Sequence, residues 1–129
     1  MIDYTEIELT LPKPPSLNMI YAGKHWTYRV KKKNEYKTAC KEELGKLDPF
    51  TADRIRIMVA YNSRLDIDNG ILVSKFLADT LTEEGIIPDD KPKHYDKITI
   101  QFDPTLPKNC YLVKIRCWGY KLREQTLDM

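Results

Sequence analysis

Cysteine and histidine are scarce in this chain. The three cysteines, at positions 40, 110 and 117, are odd in number and nowhere spaced as CxxC, and His25 and His94 stand alone. A zinc site of the usual Cys/His kind is therefore not expected, and Cys117 fits the alternation of a strand as a core residue. A domain of 129 residues buries roughly two-thirds of its unfolded surface, so it folds without disulfides or a structural metal. No apolar run approaches the ~18 residues of a membrane span. Met1-Ile2-Asp3-Tyr4 lacks the basic and apolar regions of a signal peptide, so the cytoplasm is the expected location. Internal repeats, low-complexity tracts, a helix-turn-helix and zinc-finger spacing are all missing. The length predicts one domain over residues 1–129.

Net charge is small as well, at +2, but its distribution is uneven. Residues 13–46 hold nine Lys/Arg against three Asp/Glu, residues 47–90 four against nine, and residues 91–129 eight against four. Two basic regions flank an acidic one, as suits a carboxylate site inside a phosphate-contacting surface. Ordinary solvation of charged faces is the plain alternative.

Alternating apolar residues predict strands over 6–11, with Ile7, Leu9 and Leu11 inward, and over 54–61, with Ile55, Ile57, Val59 and Tyr61 on one face. Two more follow, over 97–102 with Ile98, Ile100 and Phe102 inward, and over 111–118 with Val113, Ile115 and Cys117 on one face. Pro12, Pro14 and Pro15 end the first strand, because each removes a ladder donor. A helix is expected from about Lys33 to Leu44, with Tyr36, Ala39, Cys40 and Leu44 on its apolar side and Gly45 as its C-cap. A second spans 70–84 and ends at Gly85, before Ile86-Ile87 and Pro88. The order β-α-β-α-β-β predicts an α/β, α+β-like domain: one mixed sheet with helices packed on a face.

The chemistry concentrates in Asp66-Ile67-Asp68-Asn69 and, about twenty residues on, Asp89-Asp90. Asp66 and Asp68 are two apart, so an extended segment points both carboxylates to one side. Free N–H groups of a helix starting just after them tolerate the charge. Asp89 and Asp90 follow an apolar stretch expected to return toward the same edge. Clustered carboxylates repel, and a hard cation such as Mg²⁺ or Mn²⁺ relieves the repulsion. Singly, each feature has a plainer reading: Asp68 or Asn69 as a helix N-cap, and Asp89-Asp90 as a solvated turn. An EF-hand is excluded, because counting from Asp66 puts Ile71 where its glycine belongs and Leu77 where its glutamate belongs. A nucleotide-sugar transferase built on Asp-x-Asp needs a longer chain.

Lys75, six residues beyond Asn69, is placed to hold a scissile phosphate or to stabilise charge in the transition state, with a solvated helix face as the equal alternative. The run Lys31-Lys32-Lys33, extended by Lys24, Arg29 and Lys37, is a candidate for backbone phosphate contacts without base reading, and Asn69 is grouped with it as a nucleic-acid contact. Simple solvation of the run is the competing reading. Eight tyrosines and two tryptophans offer rings for stacking, though most are expected to pack.

With these residues in view, the chain resembles the RusA-type endonucleases, the Holliday junction resolvases of bacteria and their prophages. Leu11-Pro12-Lys13-Pro14-Pro15-Ser16-Leu17-Asn18 is similar to the family's opening strand and Pro-Pro-Ser-x-Asn loop, with Tyr21 following. Asp66-Ile67-Asp68-Asn69 matches its Asp-x-Asp-Asn, and Asp79, Leu81, Gly85 and Asp89-Asp90 complete the pattern over residues 7 to 102 or so. The resemblance implies that Asp66, Asp68 and Asp90 bind Mg²⁺ with Asp89 beside them. It also implies a homodimer on branched double-stranded DNA that makes paired nicks with 5′-phosphate ends. Two departures stand out. The family's catalytic lysine comes three residues after its Asp-x-Asp-Asn motif, whereas here Gly70-Ile71-Leu72 fills that stretch and Lys75 matches only across a three-residue insertion. Ile100-Gln101-Phe102 occupies a region that is basic in many members. The resemblance therefore leaves room for a nuclease of other branched or single-stranded DNA, or for a catalytically silent junction-binding protein.

Overall fold

A computed structural model describes residues 3–15, 26–64 and 67–123, with the side chain of Asp68 outside the description. Its elements are β1 (Tyr4–Leu11), α1 (Trp26–Leu44), β2 (Phe50–Thr51), β3 (Arg54–Asn62), α2 (Ile67–Glu83), a 3-10 turn (Pro92–His94), β4 (Tyr95–Phe102), β5 (Cys110–Trp118) and β6 (Lys121–Leu122). The four long strands form a mixed sheet in the order β1-β5-β3-β4. β5 runs antiparallel to both neighbours, and β4 runs parallel to β3. The expected mixed sheet with helices on one face is what the chain builds.

Register explains the core. Leu9, Val113, Val59 and Ile100 form one row across the sheet, and Leu11, Tyr111, Tyr61 and Phe102 form the next. Since side chains alternate along a strand, every residue of these rows faces the helices. Tyr36, Cys40 and Leu44 of α1, and Leu72, Val73, Phe76, Leu77 and Leu81 of α2, cover them. Tyr36 ties α1 to both layers: its ring meets that of Phe76 at 5.8 Å, and its hydroxyl donates to the Pro12 carbonyl at 2.8 Å. The opposite face of the sheet is ionic, with Arg54 and Arg56 both donating to Asp96 at 2.9 and 2.6 Å. Burial pushes the thiols of Cys40 and Cys117 up to about 12.

Several expectations need correction. α1 begins at Trp26, seven residues before Lys33, because Trp26 and Val30 are exposed and its first turns bury no apolar stripe to signal a helix. Gly45 is no left-handed cap; its N–H continues the helical pattern to the Lys41 carbonyl at 2.8 Å. Gly85 does end α2, at φ 72°. Ile98 and Phe102 face the helices as expected, yet are 45% and 49% exposed, because β4 is an edge strand that α2 covers only around Ile100. A Cβ at Gly70 would lie 2.7 Å from Ile100 Cγ2, so that glycine is what lets α2 sit so close. The β2–β6 pair, two residues on each side, is too short to leave a pattern in the sequence.

Candidate functional site

β3, α2 and β4 form a parallel crossover, and this fixes where the acidic residues go. Asp66 lies outside the described residues, in the link between β3 and α2. Asp68 is in the first turn of α2. Asp89 and Asp90 come after the other end of the helix. There Gly85 turns the chain, the Ile86 N–H reaches the Leu81 carbonyl at 2.9 Å, and the Ala52 N–H reaches the Ile86 carbonyl at 2.8 Å. This pins Asp89-Asp90 beside the start of β3. Seventeen helical residues span about 24 Å from first to last, so the two acidic groups stand a helix length apart. Within one chain Asp89-Asp90 therefore lie away from the helix turn that carries Asp68, and the expected return toward Asp66 falls outside the described residues. A parallel strand can begin only after the crossover has traversed the sheet.

Asp89 Oδ1 accepts the Lys91 N–H at 2.9 Å and lies 3.6 Å from His94 Nε2. The Lys91 N–H, with His94, Lys91 and Lys93 nearby, holds its carboxyl below the usual carboxylate range. His94 is oriented in turn by donating from Nδ1 to the Asp53 carbonyl at 2.8 Å. Asp90 is exposed. The adjacent Tyr95 hydroxyl is buried without a well-formed hydrogen bond among the described residues. Burial pushes it up to about 12, the carboxylates of Asp90, Asp79 and Asp89 add to the shift, and the Thr82 side chain offsets part of it. Among the described residues no three His, Cys, Asp or Glu side chains gather as a metal site, and Asp66 and the Asp68 side chain fall outside that statement. The donor chemistry itself suits a hard divalent cation, because all four groups are carboxylates.

α2 is helical without interruption from Ile67 to Glu83. Lys75 is exposed. It sits seven residues after Asp68, about 10.5 Å along the axis.

The expected nucleic-acid contacts divide. Lys24 lies outside the described residues. Asn69, expected to meet nucleic acid, is 7% exposed on the core side of α2. Lys33 pairs with Asp79 at 3.4 Å, Lys37 with Glu83, and Lys41 with Glu83 and Glu84 at 4.0 and 3.9 Å. Lys33 and Lys37 therefore join the two helices. Lys32 pairs with Glu35 at 3.5 Å. Lys31 is exposed and Arg29 half-buried.

One group of cations has no sequence signal. A cleft of about 510 Å³ opens at the end of the sheet where β1 and β3 finish, lined by Lys13, Arg64, Lys108, Asn62, Asn109 and Phe102, with Ser63. Its basic residues are 95 positions apart at the extremes, from 13 to 108. Hydrogen bonds hold its walls: Asn62 donates from Nδ2 to the Leu106 carbonyl at 2.7 Å, and its own carbonyl accepts the Asn109 N–H at 2.6 Å. Asn109 takes φ 61°, a left-handed turn that asparagine tolerates. Ser63 and Tyr111 join their hydroxyls at 2.8 Å. Half-buried Cys110 follows Asn109 at the start of β5.

No family model matches the sequence. A curated protein, the crossover junction endodeoxyribonuclease rusA of Enterobacteria phage HK97, is 32% identical over 102 residues, which is 74% of this chain and 81% of that protein. A solved structure of 2C-methyl-D-erythritol-2,4-cyclodiphosphate synthase bound to CDP aligns over 91% of this chain and 98% of that one. Its identity is 10% and its TM-score 0.37, too low to carry any argument.

Proposed function

The chain belongs to the RusA family of crossover junction endodeoxyribonucleases, and from that premise we propose that it is a metal-dependent endonuclease that resolves four-way DNA junctions by paired phosphodiester hydrolysis. Kinship with the phage enzyme is the observation that carries the reading. The carboxylates Asp66, Asp68, Asp89 and Asp90 would hold Mg²⁺, with Mn²⁺ as a substitute. A divalent cation held there supplies Lewis-acid polarisation of the phosphodiester and makes a water more acidic. Lys75, projecting from α2, neutralises charge that develops on the phosphate or the leaving oxygen. The products carry 5′-phosphates, and selectivity comes from junction shape and backbone geometry.

The distance between the acidic groups gives this reading a particular form. A centre that uses both Asp68 and Asp90 takes them from two protomers of a homodimer. Among the described residues β4 has an unpaired edge, which runs from the Asp90 end of the molecule toward the end where α2 begins. Ile98 on β4 and Ile67 and Ile71 on α2 leave about half of their surface exposed beside it, as an edge awaiting a partner does. A two-fold axis across β4 brings Asp90 of each copy toward Asp68 of the other, and it matches the near two-fold symmetry of a junction.

Cleavage of a synthetic four-way junction with Mg²⁺ tests the function. Asp68→Asn is expected to lower the rate by ~10³-fold or more while junction binding persists. Junction binding by the parent protein without cutting would sink the nuclease reading, and equal cutting of linear duplex would replace it with a general nuclease. Mixing inactive Asp68→Asn with inactive Asp90→Asn tests the shared centre. Mixed dimers contain one intact site and regain nicking if the carboxylates come from two protomers, and stay inactive if they come from one.

A further inference from the structure

The cleft between the ends of β1 and β3 has a composition that no other cavity described here shares. Lys13, Arg64 and Lys108 are all exposed, and among the described lining residues none is a carboxylate. Asp103, the nearest acid in sequence to Phe102, turns its Oδ1 to the Thr105 N–H and hydroxyl at 2.9 and 2.6 Å. By contrast, a second cavity of about 380 Å³ at the opposite end sets Lys41 and Arg123 against Asp48 and Glu84. Three cations with no ion pair to a carboxylate among the described residues, set in a concave site, raise the local concentration of a polyanion. One wall of the cleft is the ring of Phe102, 49% exposed and held edge-on to Tyr61 at 5.7 Å. Cations that follow a backbone, beside an exposed ring on which a base can stack, are the two components of a single-strand site. The walls are already fixed by the Asn62 and Pro12 hydrogen bonds, so a strand entering the cleft need not order them. Arg64 also lies two residues before Asp66 in the sequence.

We propose that this cleft receives one DNA strand where it leaves the duplex, with its phosphates on Lys13, Arg64 and Lys108 and an unstacked base on Phe102. The proposal rests on the nuclease reading for the identity of the ligand as DNA, and its test is kept separate from catalysis. Binding of a labelled oligo(dT) strand is followed by fluorescence anisotropy in EDTA across a salt series, with thermal melts confirming that each variant folds. Lys13→Ala/Lys108→Ala is expected to bind about tenfold more weakly, with the salt slope reduced by about 1.4, the share of two phosphate contacts on a single strand. Phe102→Leu keeps the apolar contact with Tyr61, removes the flat ring, and is expected to weaken binding about fivefold with the slope unchanged. Variants that bind with the parent's affinity and slope would overturn the proposal, as would a parent that binds duplex but not the single strand. Competition by inorganic phosphate at matched ionic strength would overturn it in favour of a free-anion site. A parent that binds the strand through these residues but cuts no junction leaves the cleft standing and removes only the resolvase reading.

Discussion

Along the seam between α1 and α2, Lys33, Lys37 and Lys41 stand one helical turn apart, and each meets a carboxylate of α2 or of Glu84 just beyond it. At the far end of the sheet, Lys13, Arg64 and Lys108 arrive from three separate segments and line a cleft without a lining carboxylate among the described residues. The first group is dense in sequence and neutralised in space. The second is dispersed in sequence and concentrated in space. A run of lysines therefore says little about where a polyanion binds until the opposing helix is known. Glu83 and Asp79 set carboxylates of α2 against Lys37 and Lys33 of the expected phosphate-contacting run.

The comparison is broken most decisively by exchanging the two groups in one binding experiment. Lys13→Ala/Arg64→Ala/Lys108→Ala is expected to weaken junction binding on the order of 10²-fold near physiological salt and to lower the salt slope by two to three. Lys33→Ala/Lys37→Ala/Lys41→Ala is expected to leave that slope within about one contact of the parent value and to lower stability instead. Of the seam pairs, Lys37 with Glu83 is the least exposed on its lysine side, at 11%. Its loss is expected to cost about 1 kcal/mol, or roughly 4 °C in the melting temperature of a domain this size. The opposite pattern of slopes would make the seam the DNA-binding face.

A smaller effect separates the regions by pH. The hydrogen bond from Lys37 holds the Glu83 carboxyl below its ordinary value of 4.5. Its contribution is complete above that value and is lost as pH falls through the lower folded-state value. Acid melts are expected to show a loss below about pH 4.5 that Glu83→Gln reduces. Smallest of all, Lys31→Ala is expected to change stability by less than about 0.5 kcal/mol and the salt slope by less than one contact.

Much of the fold was legible because burial follows period. Ile55, Ile57, Val59 and Tyr61 alternate, and all four are buried. Gly85 marked the end of α2 because φ 72° suits glycine. The first turns of α1 left no trace because Trp26 and Val30 face outward, and the half-exposure of Ile98 and Phe102 depends on strand order, which alternation does not encode. The acidic motif was visible as chemistry, yet the distance from Asp68 to Asp89-Asp90 is a property of the parallel crossover. Nothing local to Asp89 reports it. The cleft was illegible for a similar reason: Lys13, Arg64 and Lys108 share no segment, and only the pairing of β1, β5 and β3 makes them neighbours.

The distribution of the three thiols has a practical consequence. Cys40 and Cys117 are fully buried with their thiols pushed up to about 12, and Cys110 alone is partly accessible, next to Asn109 on the cleft wall. A maleimide dye attached to the unmutated protein will therefore go chiefly to that position. The chain carries a built-in reporter there, and strand occupancy can be followed as quenching or as protection from alkylation without engineering a new cysteine.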